Sequence, residues 1–157
     1  MSGRGRRFLI FTLQGDRYAV NVENLSEVME TPATFPIPRV SQAYLGVMNF
    51  HGAPVPILDL ASFLSGARPT RSGRILVLNH KVGSLALRID TVERIVSDIR
   101  GLEVQPDEGP LVRQSILFNK EKIPLLAVEM LMAELEEEVR TGHSKIRRND
   151  ATKAELQ

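Results

Sequence analysis

The sequence predicts an all-β chain with short helices, arranged as a duplicated small β-barrel and ending in a C-terminal helix. Three observations carry this. First, apolar and polar residues alternate over short β-branched and aromatic runs. Tyr18, Val20 and Val22 stand between Ala19, Asn21 and Glu23, the period of a half-buried strand. Second, the pattern repeats. A shift of 67 residues lays Phe8-Leu9-Ile10-Phe11 on Ile75-Leu76-Val77-Leu78, Tyr18 to Glu23 on Leu85 to Asp90, and Leu25 and Val28 on Val92 and Ile95. A shift of 68 lays Phe50 on Phe118, Val55 on Ile123, Pro56 on Pro124, Leu58 on Leu126 and Phe63 on Leu131. Two blocks agreeing in the same order, with a proline inside a strand, mark a duplication with one inserted residue. Third, Val128, Leu131, Met132, Leu135 and Val139 form a helical stripe, with Glu134 and Glu136 to Glu138 on the other face.

The elements follow in order. Phe8 to Leu13 reads as a strand, QGD as a turn, and Tyr18 to Glu23 as the next strand. Leu25 to Glu30, LSEVME, fits a helical turn, a strand, or one running into the other. TPATFPIP is a proline-rich connection, and Ser41 to Leu45 fits a helical turn before Gly46. Val47 to Phe50 and Val55 to Leu58 flank the turn His51-Gly52. Pro54 and Pro56 lack N–H groups that would point to one strand edge, so that edge faces solvent or a break in the barrel. Asp59 is placed to cap the helix LASFL, and Gly66 to end it in left-handed conformation. The loop GARPTRSG leads into the second copy. Each copy, about 8–64 and 74–132, supplies about five strands.

A chain of 157 residues suits one compact unit with a real core. It has no cysteine, which excludes disulfides and thiolate metal sites and fits a reducing cytoplasm. No apolar run approaches the roughly 18 residues of a membrane span. The opening MSGRGRRFLIFTLQG lacks the long apolar core and cleavage site of a signal peptide, so no direct membrane insertion is expected. Basic charge gathers at the ends: Arg4, Arg6 and Arg7 in a basic, frayed arm 1–7, and five basic against two acidic residues in a polar tail 140–157. The body 8–139 carries a net charge of −5. A nucleic-acid reader concentrates positive charge on its folded surface, so none is expected as a partner. His51, His80 and His143 are far apart, with no metal-ligand spacing. There is no P-loop, no G-x-S-x-G and no G-x-G-x-x-G after a strand. Asp59, Glu129 and Asp90 read as cap, solvent and turn acids. No catalytic, cofactor or metal residue is assigned, and the chain is expected not to be an enzyme.

FLIFTLQGDRYAVNVENLSEVME followed by PRVSQAYLGVMNFHGAPVPILDLASFL resembles the CheW-like domain, the coupling-protein domain of bacterial chemosensory systems. The resemblance covers residues 8 to about 133. Its most specific parts are Tyr18-x-Val20-x-Val22, the Glu27-Val28 pair, and Gly46 to Leu60. It implies two intertwined five-stranded SH3-like β-barrels and a domain over 8–139. It also implies a non-catalytic cytoplasmic adaptor between chemoreceptor cytoplasmic tips and the regulatory domain of a chemotaxis histidine kinase. Leu25, Glu27 and Val28 fall in the family's receptor-facing region, though Leu25 and Val28 equally suit the core. Asn49, Phe50, His51 and Gly52 form the partner-contact turn, where the family usually reads N-L-R-G. Histidine for arginine there replaces a fixed charge by a group mostly neutral near pH 7. Either the partner matches the change, or the contact is weaker, or His51 is a plain turn residue. The segment 97–114 aligns poorly with the family. Two alternatives stand beside this reading: the same fold in a non-flagellar pathway such as surface motility, and tandem-barrel nucleic-acid binding.

Overall fold

Residues 5–37 and 41–142 are described in a computed structural model of the chain. The first repeat folds as β1 (Arg7–Leu13), β2 (Asp16–Asn21), β3 (Leu25–Glu30), β4 (Tyr44–Phe50), β5 (Ala53–Asp59) and the helix α1 (Leu60–Ser65). The second folds as β6 (Arg74–Leu78), β7 (Ala86–Ile89), β8 (Thr91–Ser97), β9 (Glu103–Gly109), β10 (Val112–Phe118), β11 (Glu121–Leu126) and α2 (Val128–Thr141). LSEVME is a strand throughout, and the helical piece is the 3-10 turn Val22–Asn24 before it, capped by the Asn21 side chain. Ser41 to Tyr44 makes a single turn, in which the Tyr44 N–H donates to the Ser41 carbonyl at 3.1 Å, and no helix. Two ends expected to fray are held in part. Arg6 donates to Asp98 from its backbone N–H (2.8 Å) and its Nε (3.0 Å), Arg7 opens β1, and Arg140 lies within α2 paired with Glu137. The remainder of the arm and tail, residues 1–4 and 143–157, lies outside the described residues.

The strands form two open sheets, ordered β8-β1-β2-β11-β10-β9 and β3-β6-β7-β5-β4. This corrects the two five-stranded SH3-like barrels expected from the sequence: the sheets have six and five strands, and neither closes. The local cause in the smaller sheet is plain. Closure needs a ladder between β3 and β4, but the outer edge of β4 is taken by Phe35, which exchanges two 2.8 Å backbone bonds with Val47. Pro54 and Pro56 then limit the inner junction, because the parallel ladder from β5 to β7 runs only over Ile57–Asp59. The prolines therefore stand at a break in the sheet.

Each sheet draws on both repeats. β1 and β2 sit with β8 to β11, and β6 and β7 sit with β3 to β5. Exchanging every strand of one sheet for its counterpart reproduces the order of the other, with β9 in the place of the single Phe35 bridge. The cores obey the same exchange. Met48, Val55, Ile75, Val77 and Ala86 pack with Met29 and Phe50 on the inner face of the smaller sheet. Their counterparts Ile116, Ile123, Phe8, Ile10 and Ala19 pack with Val96 and Phe118 on the larger. The opposite faces of β1 and β6 supply Leu9, Phe11, Leu76 and Leu78 to a third cluster between the sheets, which the helices cover with Leu60, Phe63, Leu131 and Leu135. Burying each such side chain contributes about 1.5–3 kcal/mol. Val139, the last position of the α2 stripe, is 86% exposed and lies beyond this cover.

Beside the central cluster sits an ion pair with both partners almost wholly buried, Asp59 at 1% and Arg88 at 2% exposure. Asp59 Oδ1 accepts the Ser62 N–H at 3.0 Å and caps α1, and Oδ2 accepts the Thr70 N–H at 2.9 Å and Arg88 Nε at 2.8 Å. Arg88 also donates to the Ser72 carbonyl (2.8 Å) and Asp90 Oδ1 (2.8 Å). Removing one partner strands the other charge in the core. Asp59→Ala is expected to cost about 3–5 kcal/mol, read from the urea midpoint. Asp59→Ala with Arg88→Met should recover part of that cost, leaving the lost cap, about 1 kcal/mol, and the unpaired Thr70 N–H and Ser72 carbonyl. A double-variant cost as large as the single's would show that a stranded charge is not what the single variant reads.

The β9–β10 hairpin carries an acid-sensitive bond. The Ser115 hydroxyl, with the Glu108 N–H and Lys122, holds the Asp107 carboxyl below its usual range. A depressed carboxylate stabilises the fold above its ordinary pKa and loses that contribution as pH falls through the lower folded value. Methyl NMR signals of Val104 and Ile116, followed downward from about pH 5, should therefore hold through the ordinary Asp range near 3.9 and move below it. Ser115→Ala should raise that midpoint, and an unchanged midpoint would deny the hydroxyl any hold on Asp107.

Candidate functional site

The chemistry expected of β3 depends on which way its side chains point, and a bulge decides that. Leu25 pairs Leu78 and Glu27 pairs Val77, so the register slips by one at Ser26. Val28 then stands opposite Leu76 and Met29 opposite Ile75. Leu76 and Leu78 belong to the central cluster, Ile75 and Val77 to the cluster inside the smaller sheet. Leu25 and Val28 thus share the central face, three residues apart, while Glu27 points to the other side. Leu25 is half-buried and packs on the central core, whereas Val28 is 40% exposed at the sheet edge.

On Glu27's side lies the β4–β5 turn. Phe50 pairs Ala53 across His51 (φ 52°) and Gly52 (φ 86°), a two-residue hairpin with both central residues left-handed. Histidine is among the non-glycine residues that tolerate this conformation best. Asn49 Oδ1 accepts the Gly52 N–H at 2.9 Å and fixes the turn. The Phe50 ring, half-buried on the inner core, meets the imidazole edge-on at 4.3 Å between centroids. His51 Nε2 reaches Glu27 Oε1 at 3.7 Å. β3 and β4 are the two ends of one open sheet, so the sheet bends until its ends meet through side chains.

The seven residues singled out in the sequence are therefore gathered on one edge but split between two faces. Glu27 and Asn49 to Gly52 form a polar corner; Leu25 and Val28 form an apolar margin of the central face. Sequence reasoning missed the equivalent corner of the other sheet, although the 67-residue shift points straight to it. There the same bulge, between Ile10 and Phe11 on β1, aims Val92 and Ile95 at the central face. Ile95 is 52% exposed. Arg94, the counterpart of Glu27, lies over the Phe118 ring at 5.6 Å, and Asn119 and Lys120 take the left-handed turn. The two corners share a backbone and differ in sign: carboxylate with imidazole in one, guanidinium on an aromatic face in the other.

Among the described residues no group of three or more His, Asp or Glu side chains could hold a metal ion. His51 and His80 are exposed in separate turns, and His143 lies outside the described residues. Among the described residues no helix is long and apolar enough to cross a membrane.

Comparisons with known proteins bear on the family and the fold. The family model described as CheW-like domain matches residues 7–136. A probable chemotaxis protein CheW of Rhizobium etli is 30% identical over 142 residues, 85% of this chain and 91% of that protein. The chemotaxis protein CheW of Rhizobium meliloti is 34% identical over 112 residues, 68% of this chain and 71% of that protein. The crystal structure of the scaffolding protein TtCheW from Thermoanaerobacter tengcongensis superposes with a TM-score of 0.65 at 19% identity, covering 78% of this chain and 88% of that one, which speaks for the fold. From its interleaved repeats to its family match, the chain belongs to the CheW-like domain family, whose members serve chemotaxis signalling as non-catalytic scaffolds.

Proposed function

We propose that the chain bridges chemoreceptor cytoplasmic tips and the regulatory domain of a chemotaxis histidine kinase, in the cytoplasm, through the unit spanning about 8–139. The observation that carries this reading is the pair of exposed apolar side chains, Val28 on β3 and Ile95 on β8, at the two margins of the central face. A receptor tip, a helical hairpin in the systems this chain resembles, would lay an apolar stripe against that face, with Leu25, Val28 and Ile95 as anchors. The polar corner of Glu27 with Asn49 to Gly52 is left for the kinase. An imidazole beside a carboxylate suits a partner surface of moderate charge better than the fixed cation of an arginine would. The acidic body, net −5 over residues 8–139, speaks against nucleic acid as the partner.

Two substitutions separate the surfaces. Val28→Glu with Ile95→Glu should weaken binding of a soluble receptor-tip fragment by about tenfold or more, the scale of losing a central anchor. Because both side chains are exposed, the melting temperature should move little. His51→Arg should leave receptor-tip binding alone and change affinity for the kinase regulatory domain by about 1 kcal/mol, with an acidic partner group favouring arginine and a packed one disfavouring it. Titration of each partner by calorimetry against the folded variants is the measurement. Wild-type affinity throughout would remove both surface assignments.

A further inference from the structure

The repeat places a cleft at the same position in each half, and only one of them has a long helix for a wall. In one half, Tyr44, Pro56 and Leu85 line a cleft of about 300 Å³ whose other wall is the later turns of α2, with Met132, Leu135 and Val139. The counterparts of Tyr44, Pro56, Leu85 and Met132 are Val112, Pro124, Tyr18 and Leu64. These four residues line a separate cleft of about 380 Å³. There the helical wall stops short for a local reason. α1 ends at Ser65 with Gly66 left-handed at φ 77°, and the positions matching Leu135 and Val139 fall on Ala67 and Arg71 of the following loop. Arg71 turns away and donates to the Thr34 hydroxyl.

This cleft differs from its counterpart in its rim. The β1–β2 turn and the β9–β10 hairpin bring Asp16, Asp107 and Glu108 around an apolar floor that includes Leu13. Lys122 approaches Asp107 at 3.2 Å and offsets one of these three charges, so the rim stays acidic. Ser115 keeps the Asp107 carboxylate ionised well into the acid range, and Asp16 adds to burial in holding the Tyr18 phenol protonated. An apolar floor beside which the helical wall stops short, under an acidic rim, selects its occupant by two criteria at once. We infer that this cleft receives an amphipathic helix with basic flanks from a partner protein, placed along it as the later turns of α2 are placed along Tyr44, Pro56 and Leu85. The inference does not rest on the coupling role, since it involves neither β3, β8 nor the β4–β5 turn.

The test uses the full chain and two helix-stabilised peptides with the sequence of residues 128–141. One keeps the native glutamates; the other carries Glu134→Lys, Glu136→Lys, Glu137→Lys and Glu138→Lys. The two share one apolar stripe and differ in flank charge. The lysine peptide should bind saturably, move the methyl signals of Leu64 and Val112, and bind at least about tenfold more tightly than the native peptide. Asp16→Lys with Glu108→Lys in the chain should weaken it by about tenfold, at an unchanged melting temperature because both side chains are exposed. Absence of binding, equal binding of both peptides, or indifference to the rim variant would overturn the inference. So would movement of the Leu64 and Val112 signals in a chain carrying Arg147→Glu with Arg148→Glu, because the cleft would then be held by the chain's own C-terminal segment.

Discussion

The guanidinium of Arg88 fixes the geometry from which the surfaces follow. One planar fork reaches the cap of α1 through Asp59, the loop before β6 through the Ser72 carbonyl, and the turn acid Asp90, whose other oxygen accepts the Gln14 N–H at 2.6 Å between β1 and β2. A lysine could not hold three such acceptors in one plane. Burying both charges costs several kcal/mol per ion, and only full hydrogen bonding makes the arrangement tolerable. Here every arm is used, and the loop is shaped to permit it. A Cβ on Gly73 would stand 2.1 Å from the Ile89 carbonyl and 2.7 Å from Arg88 Nη1, so the backbone passes where no other residue fits. The pair belongs to one half only: its positions in the other repeat hold Asn21 and Ala127, and α2 begins at Ala127 with no side-chain cap.

Interleaving follows from what each repeat lacks. β1 with β2 and β6 with β7 are hairpin-like pairs whose inner faces need strands from the other repeat to cover them. Phe8, Ile10 and Ala19 of the first repeat pack on Ile116 and Ile123 of the second, and Ile75, Val77 and Ala86 of the second on Met48 and Val55 of the first. Neither half owns a complete core. Most stabilising contacts therefore span long sequence separations, so the two halves are expected to order together.

The strands were legible because alternation and duplication are both local signals. The caps of α1 at Asp59 and Gly66 and the His51-Gly52 turn follow from residue chemistry alone, and of the two settings that Pro54 and Pro56 allow for their edge, solvent or a break, the structure has the break. Closure was not legible. Whether a sheet closes depends on whether its end strands pair, and one residue, Phe35, occupies the edge that closure would need. Arg88 was invisible for another reason. It sits in LALRID at an alternating position that looks solvent-facing, and only the parallel junction of β5 and β7 buries it beside Asp59. At the candidate site, pattern could bring Glu27 and His51 to mind separately, but not the bulge at Ser26 that turns Val28 to the opposite face.

A duplicated scaffold makes departures from symmetry informative, because the backbone acts as its own control. Equivalent cores keep equivalent residues: Phe50 matches Phe118, and Ala86 matches Ala19. Packing demands that. The surfaces do not follow suit. Glu27 and His51 at one corner answer to Arg94 and Phe118 at the other, and the long α2 beside one cleft answers to the short α1 beside the other. Since both corners stand on the same bulge and the same left-handed hairpin, folding does not require their charges to differ. The bridging role proposed above gives the difference a use. Two identical faces would compete for one partner, while two faces of one shape and opposite charge can hold different partners at a fixed separation.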